Sequence, residues 1–202
     1  PERVRDEVEK ILLTRSPEMV YTLIELGLLD AFLKKRMPEP WRLHRLSTIQ
    51  RKAMPRWAAL CCALEKFGCI DSAEEFLTAL RLDSRTIRCC SNAAALVKQP
   101  KPADKAAWKR TLCAYGVDSV SCAAQCYDAF SGGSARELRA VLKSGECFSM
   151  KHLAVTGDDL LELGLRGREL GDMLRFLLDY VMEYPANNRR ELLLTLARGT
   201  EE

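Results

Sequence analysis

Apolar residues in this chain recur at three- and four-residue intervals, and prolines, glycines and short polar residues interrupt that spacing repeatedly. A segment with this period buries one face as a helix; a strand would need alternation every second residue. No convincing run of such alternation occurs. The expected fold class is therefore all-α, an elongated array of short packed helices.

The spacing predicts a first helix over 3–13, with Val4, Val8, Ile11 and Leu12 as its apolar stripe. Asp6, Glu7 and Glu9 suit the positive end of its dipole. Ser16-Pro17 opens a second helix that turns Met19, Val20, Leu23, Ile24 and Leu26 inward and stops at Gly27. Further helices are expected over 57–67, 87–97, 104–115 and 170–182, the last stopped by Pro185. Capping boxes at Ser72/Glu75, Ser134/Glu137, Asn188/Glu191 and the less regular Thr156/Asp159 each open a short helix. Ser131-Gly-Gly-Ser134 reads either as a hinge between sub-domains or as an ordinary turn.

With 202 residues, 48% of them hydrophobic and 29% charged, the chain has the composition of a folded protein able to bury a core. The net charge of +3 is compatible with an RNA partner without requiring one. The opening PERVRDEVEK has no apolar core, and no apolar run is long enough to span a membrane, so no membrane partner is expected. The start at Pro1 reads as that of a fragment. Nine cysteines occur singly or as adjacent pairs, without CxxC and with only two histidines. That pattern predicts buried free thiols in a reducing, cytoplasmic setting rather than a zinc site.

Catalytic, metal-binding and cofactor-binding residues are expected to be absent. Neither GxGxxG nor a phosphate loop is present. Asp158-Asp159 is explained by helix capping. Cys147 and His152 are close in sequence but lack an orienting partner. Basic residues carry more information. Lys98, Lys101 and Lys105 (with Lys109 and Arg110) form one group, and Arg136, Arg139 and Lys143 recur at helical spacing. Arg166, Arg168, Arg189 and Arg190 lie by glycine turns or helix starts, and Arg42, Arg45, Arg51, Lys52 and Arg56 form a looser group. The first three sets, without Lys109 and Arg110, are the candidate contacts to an RNA backbone; the competing reading is a solvated charged surface.

Leu153-Ala-Val-Thr-Gly157-Asp-Asp159-Leu160, then Gly164-Leu-Arg-Gly167, then Leu170-Gly171-Asp-Met-Leu174 follow one another in order. Together they resemble the C-terminal part of bacterial tRNA nucleotidyltransferases, the CCA-adding enzymes of the poly(A)-polymerase-like superfamily. Arg166 stands where that family usually has proline. Arg3, Glu7 and Lys10 match the family's neck-helix pattern R-x-x-x-E-x-x-K, a structural motif, and their spacing puts them on one helix face. Gly157, Gly164 and Gly167 are read as turn glycines and Gly171 as a point of close backbone approach. The resemblance is strong at both ends and weaker over 41–125. It implies a neck-end and body region over 1–130 and a tail over 131–202, either separate or continuous with the body.

By the same resemblance, the chain lacks the catalytic head, where Mg2+ and ATP or CTP would act. It would be an RNA-binding C-terminal fragment, inactive alone, that docks the acceptor and TΨC arms of tRNA while the head extends the 3' end. The alternative is a non-catalytic helical interaction module that retains the scaffold.

Overall fold

The computed structural model describes residues 1–130 and 136–199, with residues 40–42 through their backbone only. Among the described residues there are helices and turns and no strand. The chain divides into two compact units. One comprises Pro1–Lys101 and Tyr115–Ala135, the other Pro102–Ala114 and Arg136–Glu202. The expected Ser134/Glu137 cap and the Ser131–Ser134 turn lie outside the described residues.

The first unit is built from α1 (Glu2–Leu12), α2 (Val20–Glu25), α3 (Ala53–Lys66), α4 (Ala73–Ala79), α5 (Ser84–Val97) and the distal part of α6 (Lys105–Phe130), with 3-10 turns at Pro17–Met19, Asp30–Phe32 and Pro40–Thr48. Its central helix is α3, in which every residue from Pro55 to Leu64 is buried. A helix apolar all round belongs in an interior. Pro55 lies in its first turn, where proline is tolerated. Ala59, Cys62 and Ala63 of α3 and Cys90, Ala93 and Ala94 of α5 are small and buried, and these two helices pack most extensively. Small side chains allow that close approach, while Trp57, Leu60 and Leu64 supply apolar area, at about 1.5–3 kcal/mol for each fully buried large side chain.

A charged side chain holds α1 in this unit. Arg56 is only 3% exposed. Its guanidinium donates to the carbonyls of Leu12, Thr14 (2.6 Å) and Ile49 (3.3 Å), and Arg51 donates to Leu13 at 2.6 Å. The carbonyls left over at the end of α1 are thereby satisfied by cations, which also oppose the negative end of its dipole. The loose basic group over 42–56 is thus largely structural at Arg51 and Arg56. Trp57 Nε1 donates to Glu9 at 2.9 Å on the same helix.

The helix expected over 104–115 is longer. It continues as α6 to Phe130, broken at Gly116, whose φ of 77° and ψ of 161° are not helical. The chain passes from one unit to the other beside this break, between Ala114 and Tyr115. The second half was not legible because its inward residues, Val120, Cys122, Ala123, Ala124, Cys126 and Tyr127, are mostly small and no cap marks its start.

The second unit contains the beginning of α6, then α7 (Arg136–Ser144), α8 (Gly157–Glu162), α9 (Gly167–Glu183) and α10 (Arg190–Gly199), with 3-10 turns at Met150–His152 and Pro185–Asn187. Leu153, Val155, Leu160, Leu177, Leu178, Val181 and Leu193 form its core. The complete capping box is the least regular of those expected: Thr156 Oγ1 accepts from Asp159 N (3.3 Å), and Asp159 accepts from Thr156 N (2.7 Å). Ser72 caps α4 by accepting from Glu75 N. The expected Asn188/Glu191 box is not the use made of Asn188. Its amide oxygen accepts from Ala154 N and its amide nitrogen donates to His152 O, both at 2.8 Å, tying the loop before α8 to the start of α10. Ser16 makes no side-chain cap.

Lys109, 2% exposed, is the second unit's counterpart to Arg56. Its ammonium donates to Met182 O at 3.0 Å and pairs with Glu146, so it binds the end of α9 and the loop after α7. The Lys109 ammonium holds the Glu146 carboxyl below its ordinary range. Gly164 (φ 96°) and Gly167 (φ 55°) occupy the left-handed region and make the turn between α8 and α9. Gly157 instead begins α8 without a positive φ. A Cβ added at Gly171 would meet nothing within 4 Å, so no close approach explains that glycine.

Candidate nucleic-acid interface

A cation can contact RNA only where it is exposed and not already committed to a nearby carboxylate or carbonyl. That criterion separates the basic residues into three groups.

Several are committed. Lys98 pairs with Glu65 at 2.7 Å, and Glu65 also accepts from Ala73 N at the start of α4. Arg168 meets Asp172 at 3.4 Å, and Arg110 pairs with Glu183. Arg190 donates to Asp159 Oδ1 through Nε (3.1 Å) and Nη2 (2.6 Å), while Arg189 donates to Ala186 O at 3.2 Å. The Thr156 amide, followed by the Arg190 guanidinium, brings the Asp159 carboxyl down to about 2. With Lys109 and Arg56 buried, these side chains serve first to hold the fold.

A second group is exposed and forms no ion pair among the described residues: Lys105, Arg136, Lys143 and Arg166. Arg136, Arg139 and Lys143 lie along one exposed side of α7, and Leu138 and Val141 are buried on the other. The stripe from Arg136 to Lys143 extends roughly 10 Å along the helix axis. Lys101 is half-buried.

A third group surrounds a cavity of about 560 Å³ in the first unit. Arg45, Lys66 and Lys98 stand at its edge over Phe67, Ala94 and Val97. Arg45 and Lys66 form no ion pair among the described residues, in contrast to Lys98. Lys66 does not stand out in the sequence because a lone cation at the end of a helix is already explained by the dipole.

On α1, Arg3, Glu7 and Lys10 are exposed opposite the buried Val8 and Leu12, and Glu7 accepts from Lys10 at 2.9 Å. The residues that attach the helix are others: Glu2 pairs with Arg81 at 2.6 Å, and Arg5 donates to Arg81 O at 2.8 Å.

Asp159, the inner member of the only adjacent aspartate pair, already accepts from Thr156 N, Thr156 Oγ1 and Arg190. No group of three or more His, Cys, Asp or Glu among the described residues is placed to hold a metal ion. Cys147 and His152 do not pair. The thiol donates to Ser149 O (3.4 Å), and the imidazole Nδ1 lies 3.3 Å from the Ser149 hydroxyl. All nine cysteines are free, and Cys113 alone is exposed. No helix among the described residues is long and apolar enough to cross a membrane.

Two family models match. One, described as "tRNA nucleotidyltransferase domain 2", spans residues 50–197. The other, described as "Probable RNA and SrmB-binding site of polymerase A", spans residues 1–39. No curated protein and no solved structure matches the chain. The first match covers α3 to α9, α10 as far as Ala197 and the cationic stripe of α7, and the second covers α1 and α2 with the Arg3/Glu7/Lys10 face. On the strength of these two matches, the chain belongs to the tRNA nucleotidyltransferase domain 2 family.

Proposed function

We propose that this helical region docks the acceptor and TΨC arms of a tRNA while a separate nucleotidyltransferase head extends the RNA 3' end. The observation that carries the reading is the α7 stripe of Arg136, Arg139 and Lys143, displayed away from Leu138 and Val141 within the matched region. Cations at helical spacing on a rigid support meet phosphates without reading bases, which is how structured RNA is engaged by shape. Lys105 and Arg166 are further candidate contacts, and Lys98, Lys101, Arg168, Arg189 and Arg190 are secondary because most are bound within the protein. The divalent metal and nucleotide chemistry would reside in the head, in a cytoplasmic enzyme.

The test is a filter-binding titration with tRNA across a salt series, using as control a tRNA without its acceptor stem. Binding is expected to weaken steeply with salt and to depend on the acceptor stem. Converting Arg136, Arg139 and Lys143 to glutamine should lower the salt slope by roughly one for each phosphate no longer neutralised. Affinity for tRNA no greater than for heparin near physiological salt would refute the proposal.

A second reading, a helical interaction module that does not bind RNA, is favoured by one observation. Met19, Leu26 and Leu28 of the first unit are 53%, 67% and 57% exposed. A salt-insensitive response to RNA would select it.

A further inference from the structure

Six of the buried cysteines lie on three helices of the first unit: Cys61 and Cys62 on α3, Cys89 and Cys90 on α5, Cys122 and Cys126 on α6. Cys89 and Cys122 combine contact with access. Cys89 Sγ and Cys122 Sγ are 3.8 Å apart, ordinary contact for two thiols, and each residue is 3% exposed. Cys89 also lines a cavity of about 220 Å³, with Arg85, Arg88, Tyr115, Gly116 and Ser119 among its walls. A molecule the size of water or peroxide fits that space and reaches one sulfur of the pair.

We propose that Cys89 and Cys122 are a peroxide-oxidised dithiol, a modification site that closes to a disulfide between α5 and the part of α6 beyond Gly116. Cys89 is the sulfur that reacts first. The Cys122 thiol and the Ser119 hydroxyl both stabilise its thiolate by hydrogen bonding, which lowers its pKa against the opposing effect of burial. The guanidinium of Arg85 acts in the same direction from the cavity wall, and Asp118 on that wall, its ion-pair partner at 2.6 Å, opposes it more strongly. Cys122 is the resolving partner. Its pKa lies far above the ordinary thiol range, first because it donates to Cys89 and then because it is buried.

The chemistry balances in two steps. The Cys89 thiolate attacks one oxygen of hydrogen peroxide; the O–O bond breaks, Cys89 becomes a sulfenic acid, and the departing hydroxide takes a proton to leave as water. The Cys122 sulfur then attacks the sulfenic sulfur, an S–S bond forms, and the sulfenic hydroxyl departs with the Cys122 proton as a second water. In sum, two thiols lose two electrons and two protons to one peroxide. Once Cys89 is oxidised it no longer presents a thiolate to Cys122, which removes the main reason the second thiol was held protonated. The sulfurs must approach to about 2 Å.

The pair is distinguished from its neighbours. Cys126 is hydrogen-bonded to Cys62 and pushed well above the thiol range, and Cys61 is likewise raised by burial. Cys62 lines the larger cavity, but neither Cys126 nor Cys61 lines either one. Exposed Cys113 serves as the internal control for unselective oxidation.

The experiment treats the full folded chain with hydrogen peroxide, quenches with an alkylating agent, and maps peptides by mass spectrometry without reduction. The expected result is a peptide pair linked through Cys89 and Cys122, a mass loss of two hydrogen atoms, and reversal by dithiothreitol. In Cys122→Ser the link is lost and Cys89 accumulates as a sulfenic acid that dimedone labels. In Cys89→Ser both the link and the dimedone label at that position are lost. Cys126→Ser retains the link, which separates the proposal from general loosening of a cysteine-rich core. Peroxide that oxidises Cys113 while Cys89 and Cys122 remain alkylatable thiols would overturn the proposal. So would a link that joins Cys62 to Cys126 instead.

Discussion

Replacing Arg56 with methionine removes one cation and leaves three backbone carbonyls without their donor. In the native chain the guanidinium reaches Leu12, Thr14 and Ile49 from a side chain that is 3% exposed. Hydrogen bonds to a charged donor contribute about 1.5–3 kcal/mol each, and a buried acceptor left unsatisfied costs about 1–3 kcal/mol. Leu12 and Ile49 are themselves buried, so water does not readily replace the missing donor. The three bonds share one group and are not additive, and the 3.3 Å bond from Nε is the weakest. The expected loss is therefore about 3–4 kcal/mol, a large part of the roughly 5–15 kcal/mol by which a protein is stable. In urea, with a slope near 2 kcal/mol per molar, the midpoint should fall by about 2 M. Circular dichroism follows the unfolding, and hydrogen exchange should show α1 losing protection first. Arg56→Lys should recover little, because an ammonium cannot reach all three carbonyls from one position. The control is Arg45→Met, an exposed arginine without an ion pair among the described residues, which should change stability by no more than about 0.5 kcal/mol. If Arg56→Met cost no more than this control, the guanidinium could not be what fastens α1.

Three further outcomes are expected in the second unit and can be checked in the same way. Lys109→Met strands the Glu146 carboxylate and the Met182 carbonyl, so it should destabilise this unit by about 3–5 kcal/mol in urea, and adding Glu146→Gln should restore part of the loss. Because the folded-state pKa of Asp159 is depressed to about 2, its contribution is complete above the unfolded carboxylate pKa near 4 and is lost as pH falls from about 4 to 2; exchange protection in α8 should decline over that window, and Asp159→Asn should flatten the decline. Gly164→Ala introduces a Cβ at φ 96° and should lower stability by about 1–2 kcal/mol, whereas Gly171→Ala, inside α9 with nothing near its new methyl, should raise it by up to about 1 kcal/mol in thermal melts.

The helical class and most helix limits were legible in the sequence because both depend on local interactions. The 3.6-residue stripe of α1, the Ser72 cap of α4, the turn at Gly164-Gly167 and the stop at Pro185 are each decided within a few residues. Family membership was legible for a similar reason: its marks are ordered short motifs at the two ends of the chain. The destination of a polar side chain is different, since it depends on which distant backbone or charge arrives beside it. Arg56 and Lys109 looked like members of basic surface groups, yet each is buried against distant backbone, Arg56 against carbonyls 44 and 42 residues away and Lys109 against one 73 residues away. Asn188 looked like a cap but bonds the loop at 152–154. Of the proposed RNA-binding cations, those on α7 stay exposed because the helix's own amphipathic pattern turns them outward, while Lys98 and Arg190 are drawn into ion pairs by acids 33 and 31 residues distant. The sequence by itself determined where helices form and which faces are apolar, because periodicity and capping act over a single turn. Only the tertiary structure decided which cations remain available to a ligand, which thiols touch one another and which reach a cavity, because charge pairing and burial are settled by neighbours that the chain brings together from far apart.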